Sequence, residues 1–154
     1  MTTHVSGLTC ISVSAGVPAT NDATGYAALT YTAVGEINSI GDLVTKHATT
    51  TFVNFCTNKS SVVKGVEEVI MFQMVVGNDR DDAGQTLMTT ARQNLTGKYA
   101  FKMVESNGDI QYFRGFVLQE GTQFKSVNDV VMTPYEIGLV TAATGQTIIV
   151  VNTP

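Results

Sequence analysis

The chain has 154 residues, 44% hydrophobic and only 14% charged, with a formal net charge of −4. That length suits one domain, able to bury about two thirds of its unfolded surface. An acidic chain so short of cations offers no basic face for nonspecific grip on nucleic acid. So few charges also point to surface buried between subunits.

Residues 1–7 read as an N-terminal arm, and 8–15 as a first strand, with Thr9, Ile11 and Val13 alternating against Leu8, Cys10 and Ser12. Residues 16–25, with Pro18, Asn21, Asp22 and Gly25, read as loop, and 26–38 as a long strand. The segment 39–49 holds Gly41, Asp42, Lys46 and His47 and reads as an extended connection or hairpin arm, with His47 as an exposed loop residue. A Thr-, Phe- and Val-rich strand over 50–56 and a polar turn over 57–64 follow.

The stretch from Gly65 to Phe101 organises the rest. Val66, Val69, Ile70, Met71, Phe72, Met74, Val75 and Val76 form a strand apolar on both faces, which needs cover on both. That cover is the chain's own core or helix, or a neighbouring chain. A helix over about 82–96 comes next. Asp82 and Gln85 fit a capping box, Asp79 and Asp81 favour the positive end of the dipole, and Gly97 marks a stop. Ala83, Leu87, Met88, Ala91 and Leu95 share one helical face. The three aspartates also allow a metal reading, but the spaced ligands and distal Glu of a calcium loop are absent, so capping is preferred.

Beyond the helix, strands over 98–105 and 110–118 flank Ser106-Asn107-Gly108-Asp109, a strong hairpin signal. Residues 119–126 read as loop and 127–140 as a long strand, in which Pro134 implies an edge, bulge or break. After a flexible link at 141–145, Thr147 to Val151 reads as a short apolar strand. Ile148, Ile149, Val150 and Val151 have no polar alternation, so they suit an inter-subunit arm, or alternatively close the chain's own sheet.

Catalytic apparatus is not evident. Cys10, Cys56, His4 and His47 match no zinc spacing, and the cysteines read as small core or interface hydrophobes. There is no nucleophile elbow, phosphate-cradling glycine loop or histidine metal pair. No catalytic residue, metal or cofactor is expected. Met1-Thr2-Thr3-His4 lacks the basic start and apolar run of a signal peptide, and no segment has membrane-spanning length. The fold class expected is mainly β, a sandwich or barrel with one flanking helix in a single domain, carrying a C-terminal extension over about 142–154.

The order of TYTAVGEINSIGDLV (30–44), TTTFVNF (50–56) and GVEEVIMFQMVVGNDRDDAGQTLM (65–88) resembles tail tube proteins of long-tailed bacteriophages. The match runs through Ala83-Gly84-Gln85 and Arg114-Gly115-Phe116 and covers about residues 25–141. It leans to the noncontractile tail type; contractile-tail inner tubes and the type VI secretion tube share the architecture. The resemblance implies hexameric rings whose inner strands join into one barrel, stacked into a tube through which DNA passes. Its implied partners are other copies of the chain, the tail tip or initiator complex, the tape measure protein and the tail terminator. Viral DNA is met only in transit, the protein resides in the virion, and assembly takes place in the host cytoplasm.

On that resemblance the 39–49 segment reaches the adjacent ring, with Asp42, Lys46 and His47 as ring-stacking candidates. Glu36, Glu67, Glu68, Arg114, Asp129 and Glu136, on or beside predicted strands, are candidates for the channel lining, against an ordinary solvated sheet face. Pleat phase is open, because a slip of one residue reverses it. The rival class is a monomeric small β-barrel that binds a ligand in a pocket lined by Phe72, Tyr112, Phe113 and Phe116, aromatics that otherwise fill a core.

Overall fold

The computed structural model describes residues 3–69 and 71–154; the predicted placement of Met1, Thr2 and Ile70 lies outside them. The elements are β1 (Cys10–Ser14), α1 (Ala23–Ala27), β2 (Thr32–Ala33), β3 (Ile37–Ile40), β4 (Thr45–Asn54) and β5 (Lys59–Val69). They continue with β6 (Phe72–Gly77), α2 (Ala83–Gln93), β7 (Tyr99–Val104), β8 (Ile110–Glu120), β9 (Met132–Leu139) and β10 (Ile149–Val151). The mainly-β class with a flanking helix is as the sequence predicts.

One eight-stranded antiparallel sheet runs in the order β2-β1-β7-β8-β9-β6-β3, with β10 paired to the start of β8. Its register sets like beside like on one face. Val13 lies opposite Phe101, Phe101 opposite Phe113, Val117 opposite Ile137, and Ile137 opposite Phe72. Phe101 and Phe113 stack with centroids 5.2 Å apart, and Phe72 meets Phe113 edge-on at 5.6 Å. Residues of β1, and Ile37 and Ile40 of β3, join this one cluster from opposite ends of the strand order, so the sheet curls around its core. Met88 and Ala91 of α2 close it. Gly84 allows the close approach, since a Cβ there would overlap the Ala33 carbonyl oxygen of β2.

The cap of α2 is as expected in one half only. The Asp82 carboxylate accepts from the Gln85 amide at 2.8 Å, but the Gln85 side chain turns inward. Its Oε1 accepts from the Asp79 amide (3.1 Å), and its Nε2 donates to the carbonyls of Gly77 (2.8 Å) and Gly35 (3.3 Å). Gln85 therefore ties the end of β6 to the loop before β3. At the other end the helix stops at Gln93, earlier than predicted. The Asn94 amide closes it by donating to the carbonyls of Thr90 (3.1 Å) and Ala91 (3.3 Å), the Asn94 side chain accepts from the amides of Thr96 and Gly97 in the turn that follows, and Leu95 is left exposed.

Four segments depart from the sequence reading, among them the predicted turn over 57–64, most of which is the start of β5. The predicted strand 26–38 is instead α1, a turn, and the short β2 and β3. Asp22 accepts from the Gly25 amide at 2.8 Å and starts α1, whose Tyr26 stacks on Tyr112 at 5.4 Å over a second small core on the other sheet face. The apolar run 66–76 is two strands in different sheets, β5 and β6. The strand predicted over 127–140 begins only at Met132. Pro134 is accommodated because it lies just past Tyr135, the partner of Glu120 at the end of β8, where that ladder has finished. The 106–109 hairpin forms as predicted, with Gly108 at φ 94°.

Candidate assembly surfaces

Strands β4 and β5 form a two-stranded sheet of their own, paired from Thr45–Val69 to Asn54–Lys59. Ten residues of β4 at about 3.3 Å each give an arm of ~33 Å. Its base is held where Leu43 and Val69 pack against the core, but every residue from 49 to 66 is exposed. The turn follows from local chemistry. Asn54 Oδ1 accepts from the Cys56 amide at 2.9 Å, and Asn58 takes the left-handed conformation (φ 52°) that asparagine tolerates. Phe55 at the tip is 98% exposed and Phe52 57%, with Val53, Val62, Val63 and Val66 also open to solvent. An isolated two-stranded ribbon is marginal in water, and this one displays large apolar groups on both faces, Phe52 and Val63 on one, Val53 and Val62 on the other. Both features call for a partner.

The ring-stacking candidates belong to this arm. Lys46 and His47 are exposed on β4, not in a loop, and Asp42 lies in the exposed segment leading into it. Glu67 and Glu68 sit opposite His47 and Lys46, and Lys46 reaches Glu68 at 3.8 Å. The arm's base thus gathers four residues that the sequence reading assigned to two different surfaces, and it removes Glu67 and Glu68 from the main sheet. The exposed pair contributes at most about 1 kcal/mol.

Of the other channel-lining candidates, Glu136 alone stands on the open half of the outer sheet face. It accepts from Gln73 Nε2 at 3.2 Å across β6 and β9, opposite Gln119. Met71 and Leu118 converge there on Gly138. Arg114 shares that face by alternation but is half-buried beside Tyr26. Glu36 lies in the loop before β3 at φ 57°, and Asp129 in the loop before β9, off any strand. The Ser126 hydroxyl and amide bond to Asp129 and lower its pKa.

The C-terminal segment pairs within its own chain. Ile149, Val150 and Val151 pair with Tyr112, Gln111 and Ile110 of the same chain, and Ile148 packs against the main core. The segment thus lies on the chain's own sheet, as in the alternative reading, with β8 as its one strand partner among the described residues. Cys10 and Cys56 are both exposed, which overturns the core reading for them. The pocket of the rival class does not form either. Phe72 and Phe113 are fully buried in the main core, whereas Tyr112 belongs to the cluster on the opposite face.

Sequence reasoning missed how both termini fasten to the β7–β8 hairpin. His4 donates to Glu105 at 2.7 Å, Ser106 Oγ to the Val5 carbonyl at 2.7 Å, and the Thr153 amide to Asp109 at 2.8 Å. These partners are far apart in sequence, and no local pattern signals them. The arm's apolar display was legible in Phe52, Val53, Val62 and Val63, but a turn placed at 57–64 hid their pairing.

No family model matches the chain, and no curated protein matches it in sequence. Solved structures do. The chain is similar to one in the cryo-EM structure of the anti-feeding prophage (AFP) baseplate, 6-fold symmetrised, with a TM-score of 0.67 over 96% of both chains at 6% identity. It is also similar to the hybrid solid-state NMR and cryo-EM structure of the SPP1 tail tube. There the TM-score is 0.59 at 13% identity, covering 91% of this chain and 75% of that one. At such identities the likeness is one of fold. The resemblance drawn from short motifs therefore holds at that level: this chain has the fold of a phage tail-tube protein.

Proposed function

We propose that the chain is a structural virion subunit, not an enzyme, that assembles with copies of itself into stacked hexameric rings forming a phage tail tube. The observation that carries this reading is the apolar hairpin arm, exposed from 49 to 66, on a fold shared with the SPP1 tail tube. Between 49 and 66 the arm is exposed along its whole length, and a stacked ring supplies a surface for it. Asp42, Lys46 and His47, with Glu67 and Glu68, act at that contact. The inner strands of neighbouring copies continue into a ring-wide barrel, which removes the liability of open sheet edges.

In this reading Glu136 and Gln73 line the channel, and a weakly acidic wall lets DNA pass without sticking. The tail is of the long noncontractile type and serves DNA ejection. Tail tip or initiator complex, tape measure protein and tail terminator are its further partners, and assembly takes place in the host cytoplasm. Sedimentation of the intact chain and of a Phe52→Ser/Phe55→Ser variant tests the role of the arm. The intact chain is expected to gain mass steeply with concentration, while the variant keeps its circular dichroism spectrum and loses the stacked species. A variant that polymerises like the intact chain contradicts the reading.

A further inference from the structure

A cavity of about 280 Å³ between α1, β8 and the loop after β9 is lined by two cations, Arg114 and Lys98, and by no carboxylate. Its wall is held in place. Asn21 Nδ2 donates to the Thr144 carbonyl at 2.8 Å and the Gln146 carbonyl at 3.2 Å, which pins the loop over α1. Thr147 Oγ1 accepts from the Ala142 amide at 3.3 Å, and the Val140 amide donates to the Arg114 carbonyl at 2.9 Å. Within this frame the Arg114 Nε is buried and has no acceptor. None of the ion pairs among the described residues involves Arg114 or Lys98.

A buried guanidinium N–H without an acceptor is costly, and native proteins rarely leave one. The planar fork of arginine matches the paired oxygens of a carboxylate or phosphate. We propose that this cavity is an oxyanion site in which Arg114 supplies the fork and Lys98 the second positive charge. Two sources share that chemistry: an aspartate or glutamate presented by a second copy of the chain, and a free anion such as inorganic phosphate. The site does not depend on the tube reading, because its missing acceptor is a property of the single chain.

The test is calorimetric titration of the full chain with inorganic phosphate, alongside sedimentation across a range of concentrations, for the intact chain, Arg114→Gln, Arg114→Lys and Lys98→Gln. Saturable phosphate binding, weakened about tenfold or more by Arg114→Gln and less by Arg114→Lys, assigns the site to a free anion. Absence of phosphate binding, with self-association weakened about tenfold by both Gln substitutions, assigns it to a carboxylate of a second copy. Lys98 is exposed, so Lys98→Gln decides between these if Arg114→Gln fails to fold. Phosphate binding and self-association that are both indifferent to the two cations overturn the proposal.

Discussion

Replacing Gln85 by Met is the sharpest probe of how α2 is locked to the sheet. The substitution keeps side-chain length, approximate volume and helix propensity, so it isolates the amide's hydrogen bonds. Gln85 is 5% exposed and makes three such bonds, one with the Asp79 amide and two with the carbonyls of Gly77 and Gly35. Each is worth about 0.5–1.5 kcal/mol net, and a buried group left orphaned costs about 1–3 kcal/mol. Asp79 is near water and recovers part of the loss. The expected destabilisation is therefore about 2–4 kcal/mol, a fall of roughly 5–15 °C in Tm for a domain of this size. Urea unfolding followed by circular dichroism measures it. Gln93→Met, an exposed change in the same helix, is the control and is expected within about 0.5 kcal/mol of the parent. If Gln85→Met is no more costly than that control, the staple is not what fixes α2.

Glu36 holds a left-handed φ of 57°, which costs a non-glycine residue about 1–2 kcal/mol. Glu36→Gly removes that strain at some cost in unfolded-state entropy, so it is expected to stabilise by about 0.5–1 kcal/mol in the same urea assay. Burial, together with the negative charges of Glu120 and Asp82, pushes the Tyr135 hydroxyl up to about 12. A folded-state pKa raised above the unfolded value of 10 gives stability that is complete below pH 10 and is lost as pH rises through about 12. Tyr135→Phe should flatten part of the fall in stability across that window, read from unfolding midpoints at successive pH values.

Much of the fold was legible because patterning and burial agree. Ile11 and Val13 alternate into the core, the Asn107-Gly108 turn closes β7 onto β8, and the Asp82 cap starts α2 where a carboxylate is needed. What was not legible has identifiable causes. Helix α1 has only five residues, one of them glycine, so it shows no helical period, and its cap Asp22 reads equally well as a loop residue. The stretch from Val66 to Val76 is rich in apolar residues throughout, broken only by Glu67, Glu68 and Gln73, although it passes from an exposed arm into the main sheet. In the arm the apolar groups are exposed, and in β6 they face this chain's core, so composition does not separate the two. Arg114 and Glu136 alternate onto one sheet face, yet the packing of α1 and the 140–147 loop encloses the first and leaves the second open, a distinction made entirely by tertiary contacts.

The central claim is self-assembly into a hollow tube, and negative-stain electron microscopy of the purified full chain tests it most directly. The account predicts rings or tubes with a narrow central bore and six-fold end views. A chain that remains single at high concentration, and that does not polymerise when tail-tip complexes are added, contradicts it.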